Sequence, residues 1–108
     1  MTGTPPAWRV QEAAARRLDD IYVHTRRVWG DEQARRYIRG LFDRFGDIAA
    51  RRIPWRAIPA DFGIDGFYCR YERHYVYWKI LTDGTVGIVT ILHDRMHQID
   101  RFRDDAGT

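Results

Sequence analysis

Two stretches with helical periodicity, residues 12–29 and 32–50, are separated only by Gly30 and Asp31. So short a connection leaves the two helices one arrangement, an antiparallel hairpin. Along the first, apolar or small residues recur every three or four positions at Ala14, Leu18, Ile21, Tyr22, Thr25, Val28 and Trp29. Along the second the same face reads Ala34, Tyr37, Ile38, Leu41, Phe42, Phe45, Ile48 and Ala49. Gly30 is placed to end the first helix in a left-handed conformation. Asp31 is placed to cap the second, with Glu32 favourable in its first turn. Gly40 costs the second helix about 1 kcal/mol relative to alanine.

The flanking segments read as strands. Ala7-Trp8-Arg9-Val10 is a short candidate before the helices. After them, Pro54 and Pro59 make residues 51–65 irregular, and Asp61 to Gly66 reads as a turn. Alternating apolar residues then predict strands over 66–71, 74–82 and 85–93. Asp83-Gly84 between two such runs predicts a two-residue hairpin. That turn sets Thr82 opposite Thr85, Trp78 opposite Val89 and His74 opposite His93.

One face of this ribbon then carries Phe67, Cys69, Tyr71, Val76, Trp78, Ile80, Val89 and Ile91, and should pack on the helices. The other carries Tyr68, Arg70, Tyr75, Tyr77, Lys79, Ile88, Thr90 and Leu92, an amphipathic face expected to stay open. The fold class that follows is α+β, in the order β-α-α-β-β-β, with a helix hairpin on one face of a small antiparallel sheet. Residues 1–6 read as a flexible lead, 7–97 as one domain, and 98–108 as a tail whose short helix docks Ile99 and Phe102.

A chain of 108 residues has room for one core. A single thiol, Cys69, cannot form an internal disulfide. The first residues lack the basic and apolar regions of a signal peptide, and no apolar run approaches the roughly 20 residues of a membrane span. A soluble cytoplasmic protein with no membrane partner is expected. The formal charge is +3, and Lys79 is the only lysine among 18 basic residues. Arginine forks suit phosphates and carboxylates alike, so the composition points to nucleic acid or an acidic protein segment.

Catalytic patterns are sparse. The chain has no serine, and Cys69 falls on the face expected to be buried. No glycine-rich phosphate loop or paired-carboxylate cleft is visible. His93 and His97 are four apart but lack the further ligands that zinc needs. His74 and His93 face each other as an acid/base pair or as hydrogen-bonded structural histidines. No cofactor is expected. The most suggestive constellation is Tyr68, Arg70, Tyr75, Tyr77 and Lys79, where rings can stack on bases and cations can meet phosphates.

Residues 13–97 resemble the RelE/ParE toxin superfamily, and its ParE-like members in particular. Ala14-Ala15-Arg16-Arg17-Leu18-Asp19-Asp20-Ile21, Thr25, and Trp29-Gly30-Asp31-Glu32-Gln33-Ala34 are similar to the family's first helix and turn. Tyr37-Ile38 and Leu41 continue the pattern. Arg73 to Trp78, and Ile88 to Met96 with its His-x-Arg-Met end, look like its last strands. Arg56 matches an arginine that commonly follows the second helix. The chain departs at Arg51-Arg52, at Phe67-Tyr68 after Gly66, and at His97.

The resemblance implies a toxin encoded beside a cognate antitoxin, ParD-like or another short acidic protein, whose otherwise disordered segment wraps the helix hairpin and sheet in a toxin–antitoxin assembly. ParE members poison DNA gyrase by binding it, and RelE members cut messenger RNA on the ribosome. The first reading makes Arg56, Arg70, Tyr75, Tyr77, Lys79, Arg95 and Met96 contacts for antitoxin or target. The second makes Arg70, Lys79, Tyr75 and His93 the catalytic set of an endoribonuclease. A third is an inactive adaptor on the same fold.

Overall fold

A computed structural model describes residues 7–106; the expected lead over residues 1–6 lies outside the described residues. The elements run β1 (Trp8–Val10), α1 (Glu12–Trp29), α2 (Asp31–Ala49), β2 (Arg56–Ala57), a 3-10 turn (Ala60–Phe62), β3 (Phe67–Tyr71), β4 (His74–Ile80), β5 (Val86–His93) and α3 (Gln98–Ala106). The sheet order is β1-β5-β4-β3-β2. The last three long strands form the antiparallel meander that their alternation predicts, and β1 pairs parallel to β5 at the edge. The two-residue strand β2, inside the segment expected to be irregular, pairs with Phe67 and Tyr68. The architecture is therefore the expected α+β helix hairpin on a sheet, with one parallel edge and a C-terminal helix added.

α1 starts without a capping side chain; Gln11 instead donates its N–H to the Ile88 carbonyl, tying the helix to β5. At the hairpin a single residue, Gly30, serves as C-cap of α1 and N-cap of α2. Its φ of 97° with ψ of 167° is not the left-handed helical conformation expected, but an extended positive-φ one that only glycine tolerates. Asp31 consequently begins α2 and is not its cap. Its carboxylate accepts the Tyr22 hydroxyl at 2.7 Å and pairs with Arg35 at 3.0 Å.

The β4–β5 turn differs from the expectation by one residue. Leu81 N–H bonds the Thr85 carbonyl and Gly84 N–H bonds the Leu81 carbonyl, so the loop is Thr82-Asp83-Gly84. The Asp83 carboxylate accepts both the N–H and the hydroxyl of Thr85, which tightens this longer turn. Trp78 therefore faces Ile88, not Val89. A register shift between Tyr77 and Trp78 then restores the expected pairing, and His74 faces His93. The extra residue is Val89. Ile88 turns to the helix side and Val89 to the opposite side, the reverse of the even alternation expected.

Two apolar clusters hold the layers together. Leu18, Ile21, Leu41, Phe45 and Ile48 of the helices pack on Val76, Trp78, Val86, Ile88 and Ile91. On the other face Ile58, Phe62, Tyr77, Val89 and Leu92 are closed over by Phe102 of α3. The tail thus forms the expected helix. Ile80, expected on the helix-packed face, is 50% exposed at the end of β4.

Candidate binding surfaces

The expected binding residues occupy three separate places. Arg70, Tyr75, His93, Arg95 and Met96 gather at the end of the sheet formed by the β3–β4 turn and the residues after β5. Arg70 donates to the Glu72 carbonyl at 2.9 Å and to Asp94 at 2.8 Å, and its guanidinium lies 5.5 Å from the Tyr75 ring centre. A tight turn in which Met96 N–H bonds the His93 carbonyl leaves Arg95 and Met96 exposed. Lys79 stands at the other end of β4, opposite Gly87, on a cavity shared with Gln11, Arg16 and Asp105. Along the strand it is roughly 13 Å from Tyr75. Arg56 is exposed on the edge strand β2.

Tyr77 corrects the picture of an open sheet face. It is only 3% exposed. Its ring lies 5.9 Å from Phe62 and 5.0 Å from Phe102, and its hydroxyl donates to Gln98 Oε1 at 2.7 Å. Burial pushes this phenol well above its ordinary range. The cover comes from segments distant in sequence. Gln98 fastens the start of α3 through the His93 and Met96 carbonyls, Arg103 fastens it to the carbonyls of Asp61 and Phe62, and Asp105 meets Arg17 and Thr90.

The two sheet histidines sit edge to face, 5.1 Å between ring centres. His74 is buried, with its Nδ1 2.6 Å from the Tyr37 hydroxyl. Burial, and then the neighbouring His93, lower its pKa to about 4, while burial raises that of Tyr37 to about 12. These shifts describe a neutral imidazole and a protonated phenol sharing one hydrogen bond. His93 Nδ1 accepts the Arg95 N–H at 3.0 Å and lies 3.1 Å from Asp94. Cys69 is partly buried on the hairpin side, and burial raises its pKa to about 11, so it stays a thiol. Among the described residues no three His, Cys, Asp or Glu side chains are arranged to hold a metal ion. Among them, too, no helix is long and apolar enough to cross a membrane.

The sequence pattern missed two surfaces. Between α1 and α2 runs a groove of about 550 Å³, lined by Val10, Ala15, Tyr22, Val23, Ile38 and Phe42 among others. Beyond it, at the hairpin tip, Val28 is 52% and Trp29 70% exposed, although both belong to the stripe read as core-facing. The one available signal was the length of that stripe, which runs on for two turns past the last residue the sheet can cover.

Comparison with known proteins agrees with this architecture. The family described as "ParE toxin of type II toxin-antitoxin system, parDE" matches residues 9–98. A protein named "Toxin ParE" from Escherichia coli is 34% identical over 87 residues, which is 81% of this chain and 84% of that protein. A solved structure titled "Chromosomal ParDE TA system from P. aeruginosa" superposes with a TM-score of 0.63 at 18% identity, over 81% of this chain and 94% of the other, a likeness of fold. With the family's pattern running from the first strand through the turn after the last, this chain belongs to the ParE toxins of type II toxin–antitoxin systems.

Proposed function

We propose that this toxin inhibits DNA gyrase in the cytoplasm by binding it, and that a cognate ParD-like antitoxin neutralises it. The observation that carries the reading is the apolar groove of the helix hairpin, with Val23 43% and Phe42 38% exposed along it. A monomer gains nothing from an open apolar channel, whereas an amphipathic antitoxin segment would bury it. The exposed Arg39, between the groove residues Ile38 and Phe42, suits an acidic segment laid alongside. Arg56, Arg70, Tyr75, Lys79, Arg95 and Met96 remain the proposed contacts with antitoxin or target. Tyr77 joins them only when α3 is displaced.

The test is a supercoiling assay with purified gyrase. Added toxin is expected to inhibit it, and toxin premixed with antitoxin is not. Gyrase left untouched would refute the reading.

A ribosome-dependent endoribonuclease is the second reading, favoured by Asp94, which engages both Arg70 and His93 at the end of the sheet where Tyr75 lies beside Arg70, although the register puts His93 and Tyr75 on opposite faces. It is weakened by Lys79, which stands apart from that group. Cleavage of message in a translating extract, without any effect on gyrase, would support it. Expression that never slows growth would instead support an inactive adaptor.

A further inference from the structure

All buried residues of α1 lie at or before Ile21, and all those of α2 at or after Ala34. Residues 22–33 contain no buried side chain. The hairpin therefore runs beyond the sheet by about two helical turns, roughly 12 Å of helix without a core beneath it. This arm is nevertheless tightly made. Tyr22 donates to Asp31 at 2.7 Å, Asp31 pairs with Arg35 at 3.0 Å, and the Gly30 N–H and carbonyl close the turn onto Arg26 and Ala34.

The tip holds two large apolar side chains in water, Val28 at 52% and Trp29 at 70% exposure. Folding explains neither, since no element lies over them. The tip segment carries four arginines (Arg26, Arg27, Arg35 and Arg36) against two acids, Asp31 and Glu32. Arg35 and Arg36 are paired with those acids, and among the described residues neither Arg26 nor Arg27 pairs with a carboxylate. An exposed tryptophan on a rigid support, beside Arg27 and an Arg26 whose guanidinium lies 5.8 Å from the Tyr22 ring centre, has the composition of a binding hot spot. Those arginines call for acidic groups on the facing surface.

We propose that the α1–α2 tip is a target-docking surface anchored by Trp29, and that it fits an apolar pocket rimmed by carboxylates on the target protein. This rests on the reading of the chain as a toxin that acts by binding. The tip is distinct from the antitoxin groove, whose lining ends at Tyr22 and Val23.

The test uses the full-length chain and Trp29→Ala, Trp29→Phe and the pair Arg26→Glu with Arg27→Glu. Three things are measured: growth arrest on induction, affinity for purified gyrase, and affinity for the cognate antitoxin. Because Trp29 supports no core, the thermal midpoint of Trp29→Ala should match the parent. Its gyrase affinity should fall at least about thirtyfold, with growth arrest lost, antitoxin affinity unchanged, and partial rescue by Trp29→Phe. The arginine pair should slow association with gyrase and remove much of its salt dependence.

Growth arrest and gyrase binding both unchanged in Trp29→Ala would overturn the proposal. So would a loss confined to antitoxin affinity. A parent that dimerises through the tip, with Trp29→Ala monomeric and still toxic, would assign the surface to a second copy and also overturn it. A parent that arrests growth without binding gyrase, alongside a Trp29→Ala that does not arrest growth, refutes the gyrase reading and leaves the docking surface standing.

Discussion

Gly40 sits in the middle of α2, where alanine would ordinarily add about 1 kcal/mol of helix stability. Here a Cβ at that position would lie 1.9 Å from the Tyr71 hydroxyl oxygen. The glycine that looked like a cost to the helix is the slot into which β3 lays a tyrosine. Gly40→Ala should therefore destabilise the fold by about 1–3 kcal/mol, and Tyr71→Phe in the same chain should restore much of the loss. Denaturant midpoints of the two single variants and the double variant measure it; a stabilising Gly40→Ala would show that Tyr71 swings aside freely. His74 supplies a second residue-level prediction. Its folded pKa of about 4 lies below the ordinary 6.5, so the unfolded chain takes up a proton that the folded chain refuses. The contribution is fully present above pH 6.5 and is lost as pH falls toward 4, by at most about 3 kcal/mol. Unfolding midpoints should drop across that window, and His74→Gln should flatten the slope relative to the parent.

Among the elements, α3 shows how a short helix gains its place through a few anchors. Phe102 is 1% exposed, while most of its neighbours on the helix are charged. Asp105, with its side chain 10% exposed, pairs with Arg17 of α1 at 2.9 Å and accepts the Thr90 hydroxyl at 2.7 Å. Phe102→Ala should cost about 3–5 kcal/mol if unfolding is a single transition. If α3 instead detaches first, its amides should exchange hydrogen faster than those of the sheet. Tail spacing made the helix and the docking of Phe102 legible, because Ile99 and Phe102 share a face. What α3 would cover was not legible, since Ile58, Phe62 and Tyr77 are distant in sequence. The β5 bulge was equally hidden. Asp83-Gly84 announces a hairpin, but whether the loop has two residues or three depends on Asp83 engaging Thr85, and that one residue moves Ile88 and Val89 to opposite faces.

The whole molecule has an uneven surface. One end of the sheet gathers Arg70, Tyr75 and His93, the hairpin carries an open groove, and the tip displays Trp29. On the proposed reading, in which the groove seats an antitoxin segment, a charge there is not tolerated. Val23→Glu should fold normally, since Val23 is 43% exposed, yet weaken antitoxin binding at least roughly a hundredfold. Co-expressed antitoxin should then fail to rescue growth, and calorimetry should show the lost affinity. Binding to the folded chain should also raise the parent's unfolding midpoint, by about 2.7 kcal/mol of added stability at a hundred times the dissociation constant. Antitoxin that protects Val23→Glu as well as the parent would remove the groove from the interface.

The sequence by itself determined the long elements and their order, though not the short strand β2. Periodicity made the two helices, one glycine between them made the hairpin, and alternation made the meander, with Trp78 facing the helices. Local pattern carries that much because a side chain's face on a helix or strand is set by its immediate neighbours in the chain. Tertiary structure alone decided which of those faces are covered. Val28 and Trp29 share the stripe of Leu18 and Ile21 yet stand in water because the sheet ends before they do, and Tyr77 shares the face of Lys79 yet is sealed because α3 folds back across it. Burial requires an opposing surface, and where one lies depends on the lengths of elements and the docking of distant segments, which no local pattern records.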